Sequence, residues 1–146
     1  MRLLIILLLF IPRILGAQGS DECGTAQPIV LSTFGSVDVL VDNSSATNNP
    51  GDPPATGTLC PQSAFGDMVS DVWFSWNAPE NGSLELNTCP GNLDTDIVVY
   101  RSNGGCGALV EIACNGDGVL PGGEICDSFG SILDGVGVVS GMSYLI

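Results

Sequence analysis

The chain has no histidine and no lysine, and its basic residues are Arg2, Arg13 and Arg101 alone. These gaps remove whole classes of chemistry. Without histidine there is no Ser-His-Asp triad, no Cys-His nucleophile and no histidine-ligated zinc. Without lysine there is no Schiff-base chemistry. Carboxylates are left as the general acids and bases. Aromatic residues make up 6% of the chain, so ring platforms for stacking a sugar are few. No Cys-x-x-Cys pair occurs, which weakens any zinc reading. The longest apolar run, Leu3 to Ile11, falls well short of the ~20 residues that cross a bilayer.

That run follows Arg2 and leads into small residues, the layout of a secretory signal peptide. We assign residues 1–19 to the signal, with cleavage after Ala17 or Gly19, and residues 20–146 to one domain. An uncleaved anchor is the alternative. Processing removes Arg2 and Arg13 and leaves Arg101 as the single cation against 16 acids. Nothing remains to neutralise phosphates, so nucleic acid is excluded as a partner. Anionic membrane surfaces are disfavoured for the same reason once the signal is gone. Six cysteines follow the signal: Cys23, Cys60, Cys89, Cys106, Cys114 and Cys126. An even count in an oxidising compartment reads as three disulfides.

The rest of the chain has short apolar or alternating runs between clusters of Gly, Pro, Asn, Asp and Ser. That is an all-β pattern. Strands are expected at 28–32, 36–42, 71–77, 83–89, 96–102, 108–114, 131–139 and 142–146, packed as a disulfide-stabilised, jelly-roll-like antiparallel β-sandwich. "DIVVYRS" (96–102) is the most apolar and is expected at the centre of a sheet. The chain stops at Ile146 inside an apolar strand, which suggests that one or more final strands are missing. "SYLI" is then expected to lie at an open edge, an aggregation hazard.

In order along the chain, "DECGTAQPI", "DVWFSWNAPENGSLELNTC", "NLDTDIVVYRSNGGCGALVEIACNGDG" and "SGMSYLI" resemble the bacterial pre-peptidase C-terminal (PPC) type of domain. The resemblance covers residues 21–146. It implies a jelly-roll sandwich and a non-catalytic accessory module that flanks other domains of a larger secreted or cell-surface protein. Such modules bind polysaccharide or collagen in some relatives, and some of those take calcium. In this chain Asn115-Gly116-Asp117 places a glycine where relatives carry adjacent acids. The spacing of Cys106 and Cys114 is similar to that of relatives and implies that they pair, although an extended run between them spans about 26 Å and must bend. Cys23–Cys60 would pin the first hairpin and its loop, which leaves Cys89–Cys126.

Two candidate sites follow. Pairing 96–102 against 108–114 brings "NLDTD" and "CNGDG" to one end of the sheet. Asn92, Asp94, Asp96, Asn115 and Asp117 then converge as a calcium site, with Asp127 in the next loop. Calcium takes about six to eight oxygens, and gathered acids repel without a cation. Ordinary turn chemistry explains the same residues. Trp73 and Trp76 alternate faces on one strand. Trp76 is expected in the core; Trp73 is either an outward platform for a ligand or packed beneath the 43–61 loop. The leading function is a non-catalytic accessory module that binds extracellular polysaccharide or protein. A purely structural, scaffolding or chaperone-like segment is the alternative. A carboxylate-dependent hydrolase built on Asp94 and Asp96 is the weakest reading.

Overall fold

Alternating apolar positions need two partners: a neighbouring strand for the backbone and a facing layer for the side chains. The computed structural model shows how this sequence finds both. It describes residues 19–31, 35–47, 70–89, 91, 93–118, 126 and 129–146. Residues 1–18 of the expected signal peptide lie outside them.

Seven strands are present among the described residues: β1 (Gln27–Pro28), β2 (Phe74–Asn77), β3 (Gly82–Asn87), β4 (Ile97–Ser102), β5 (Leu109–Asn115), β6 (Ile132–Val138) and β7 (Ser143–Leu145). They form a five-stranded sheet in the order β1-β2-β7-β4-β5 and a two-stranded sheet, β3-β6. The protein is an all-β sandwich, as the turn spacing predicts. One pair departs from the antiparallel expectation. β1 runs parallel to β2, with Gln27 opposite Phe74. Pro28 cannot donate a ladder hydrogen bond, which fits an edge position.

The two tryptophans divide the core. Trp76 joins Leu84, Ile97, Val99, Leu133, Val136, Val138 and Tyr144 between the sheets. Trp73 joins Cys23, Val98, Tyr100 and Leu145 on the other face of the large sheet. β4 is therefore covered on both sides, and its residues Ile97 to Tyr100 are all buried. This is why its sequence reads as a continuous apolar run. Trp76 packs on Tyr144 at 5.8 Å and Trp73 on Tyr100 at 5.9 Å, both tilted. Each pair contributes about 0.5–1.5 kcal/mol beyond its buried area.

Three expectations are corrected here. The residues at 36–42 alternate but form no strand; Val37 and Leu40 are exposed. Val37, Leu40 and Val41 stay exposed, so the alternation has no facing layer in which to bury an apolar face. "SYLI" is not an open edge either. β7 sits at the centre of the large sheet, between β2 and β4, and Ile146 exchanges backbone hydrogen bonds with Phe74 at 2.8 and 2.9 Å.

The third correction concerns the disulfides. Cys23 bonds to Cys106, with Cα atoms 6.0 Å apart, so neither Cys23–Cys60 nor Cys106–Cys114 forms. Cys106 opens the single helical turn Cys106–Ala108 before β5, and Cys114 lies near the far end of that strand. The extended strand holds them apart, as the span argument requires. Cys23 sits in its own helical turn, Cys23–Thr25, against the same outer face. Cys89 bonds to Cys126 with a Cα separation of 5.2 Å. Cys114 is also disulfide-bonded, and Cys60 lies outside the described residues.

Candidate functional site

Four strand ends meet at one end of the sandwich. Antiparallel pairing sets Ile97 opposite Asn115 in the large sheet and Asn87 opposite Ile132 in the small one. Residues 88–89, 91 and 93–96, 116–118 and 129–131 are thereby gathered together. Hydrogen bonds between the sheets tie them. Ile132 N donates to Asn115 Oδ1 at 3.1 Å, and Gly118 N donates to Gly130 O at 2.7 Å.

Ser131 is the hub of this end and is fully buried. Its hydroxyl is shared between the carbonyl oxygens of Thr95 and Gly116. Its backbone N–H donates to Thr88 Oγ1 at 2.8 Å and to Thr95 Oγ1 at 3.2 Å. The two threonine hydroxyls meet at 2.5 Å. Buried hydroxyls survive desolvation because each finds a partner. The Cys89–Cys126 bridge closes the same region. Space there is tight: a Cβ on Gly118 would lie 2.7 Å from Cys126 Sγ and 2.9 Å from Gly130 O.

Around this rigid base the solvent side carries Leu93, Asp94, Asp96 and Phe129, all exposed. Thr95 turns inward while its neighbours Asp94 and Asp96 turn outward, the alternation of an extended chain.

The sequence-derived metal residues fare unevenly. Asp94, Asp96, Asn115 and Asp117 do come to this one end, by the predicted pairing. Asn92 and Asp127 lie outside the described residues. Asn115 presents its Oδ1 to Ile132 N, so it acts as a clasp between the sheets. Among the described residues no group of three or more acids or cysteines gathers closely enough to hold a metal.

Trp73 is corrected as a ligand platform. It does face away from Trp76, but it is 2% exposed. The Cys23 turn covers that face, and the indole N–H donates to Asp71 Oδ2 at 2.6 Å. The rule that tryptophan rarely stays exposed prevails here.

Thr88, Thr95, Ser131 and Phe129 were not singled out by sequence reasoning. Isolated hydroxyl residues beside turns carry no distinguishing pattern, and "DSFG" reads as loop.

The family model described as galactose binding domain-like, of the kind associated with type IX secretion, matches residues 19–122. The chain belongs to this galactose binding domain-like family. The match spans β1 to β5; β6, β7 and Phe129 lie beyond it. No curated protein and no solved structure matches the chain. The pre-peptidase resemblance therefore holds at the coarser level of a β-domain of secreted proteins, and the matching family is a different one. The association with secretion fits a galactose binding domain-like module that works outside the cell or at its surface. Among the described residues no helix is long and apolar enough to cross a membrane.

Proposed function

We propose that this galactose binding domain-like chain is a non-catalytic accessory module of a secreted protein that binds extracellular polysaccharide or protein. The observation that carries the reading is the family membership, joined to a loop end built for rigidity. Four strand ends are locked by the Ser131 hydrogen bonds and one disulfide, with polar and apolar side chains displayed outside. A recognition surface gains affinity when its groups are ordered before the ligand arrives. The residue inventory supports the non-catalytic half. Histidine and lysine are missing, and Asp94 and Asp96 are exposed side by side on one segment. Glycosidase carboxyls instead flank a bond across a cleft.

The test is depletion of the secreted chain from solution by insoluble polysaccharides and by immobilised collagen. Saturable depletion by at least one of them is the expected result. A chain that stays wholly in solution with all of them contradicts the reading and favours a structural segment.

A further inference from the structure

Between β1 and β2 no helix or strand occurs among the described residues, yet Val37, Leu40 and Val41 stand exposed there, Leu40 at 62%. A lone bridge at Val41 is the one sheet contact of residues 35–42. No backbone group of these residues bonds to the backbone of another described residue. Both flanks, by contrast, are fastened. On the N-terminal side Ser20 and Trp73 exchange backbone hydrogen bonds at 3.2 and 2.7 Å, and Ile29 N donates to Ser75 O at 2.8 Å. Cys23 is bonded to Cys106. On the C-terminal side Asn43 Nδ2 donates to Ser70 O at 3.2 Å. Thr47 donates from its N and its Oγ1 to the Asp21 carboxylate, at 2.6 and 2.9 Å, which joins one flank directly to the other.

Exposed backbone with few hydrogen bonds of its own is what an endopeptidase requires, because its substrate must leave the fold locally and enter the enzyme extended. The side chains select the enzyme. Trypsin-like pockets take Lys or Arg. Beyond residue 19 the chain offers them Arg101 alone, half-buried and laddered on both sides, to Val110 of β5 and Tyr144 of β7. The segment offers Val37, Val39, Leu40 and Val41 instead. We propose that 36–42 is a processing site for an extracellular endopeptidase with a small apolar primary pocket, and that the nicked domain stays one particle. Water adds across one peptide bond and leaves a carboxylate and an amine; nothing else is consumed. The N-terminal piece keeps β1, its ladder to β2 and the Cys23–Cys106 bridge, so it stays covalently attached. The Asn43 and Thr47 bonds hold the other side of the cut in place. This site is independent of the proposed binding function.

Limited digestion of the full secreted chain with elastase, and with trypsin in parallel, tests this. Elastase is expected to cut first within residues 37–42, as located by N-terminal sequencing of the larger fragment. The product is expected to run as one species without reductant, to separate into two with it, and to melt cooperatively. Trypsin is expected to leave the chain whole over the same time. A variant carrying Val37→Asn, Val39→Asn, Leu40→Asn and Val41→Asn together is expected to lose the elastase cut and keep the wild-type melting midpoint. A first elastase cut elsewhere, at the exposed Leu93 or Val139 for example, overturns the site. Equal cutting by trypsin, or a variant still cut within the segment, overturns the choice of enzyme. A variant that melts several degrees lower, or without cooperativity, makes these side chains packing groups and overturns the proposal as well. Pieces that separate without reductant, or a nicked chain that no longer melts cooperatively, overturn the claim of one particle.

Discussion

Tyr100 carries a hydroxyl that is buried and has no hydrogen-bond partner among the described residues. Burial pushes its pKa up to about 12 from the ordinary 10.0, and the charges of Glu111 and Asp71 add to the effect. The folded state therefore holds this proton more tightly than the unfolded chain. Between pH 10.0 and about 12 the unfolded tyrosine ionises while the folded one does not. Stability falls as pH rises through that window and is fully present below it. Absorbance titration at alkaline pH is expected to show a tyrosine ionising near 12 that is missing in Tyr100→Phe. Because the hydroxyl is unpartnered, Tyr100→Phe should leave the melting midpoint unchanged or higher. A clear fall would mean that the hydroxyl does bond. Ser131 is the opposite case. Ser131→Ala removes the donor that the Thr95 and Gly116 carbonyls share and should cost about 1–3 kcal/mol in chemical denaturation. At this scale the sequence was least legible. The alternation of Trp73 and Trp76 was visible, but what covers each face was not. Cys23 and Cys106 meet across 83 residues, and no local pattern announces that.

Elements were far more legible. β3 to β7 fall within a residue or two of the runs expected from alternation and turn residues, and β2 starts three residues late but ends where expected, because their side chains obey a period of two. Pairing was harder. β7 follows β6 in sequence yet inserts between β2 and β4, and alternation does not specify a neighbour. This central position makes a prediction. A chain ending at Gly141 loses β7, and with it the partner of both β2 and β4. It should lose cooperative melting altogether. A truncated chain that melts near the wild-type midpoint would contradict the topology. The short loop 103–108 depends on the Cys23–Cys106 bridge for its link to the outer face. Cys23→Ser with Cys106→Ser is expected to cost about 2–5 kcal/mol, read as a lower denaturant midpoint. The calcium expectation is tested at the same scale. With Asn115 clasping Ile132, the melting midpoint should be equal in excess calcium and in chelator. A rise of several degrees in calcium, abolished in Asp94→Asn, would support the metal reading.

For the whole molecule, charge and the secretion-associated family agree with each other. A chain with 16 acids and three bases stays soluble and attracts cations or uncharged partners rather than polyanions. Beyond residue 19 the one Lys or Arg is Arg101, which is half-buried, with its Nε enclosed and without a hydrogen-bond partner among the described residues. The absence of histidine and lysine and the all-β architecture could be read directly from the sequence. The family could not be read to the same depth, because sandwiches with short strands and few invariant motifs look alike. The measurement that tests the account most directly combines retention and turnover in one tube. The secreted chain is incubated with each insoluble polysaccharide; the bound fraction and newly formed reducing ends are both counted. The account predicts saturable binding with no reducing ends above the protein-free control. Reducing ends that accumulate with time, and vanish in Asp94→Asn or Asp96→Asn, would contradict it and make the carboxylates a catalytic pair.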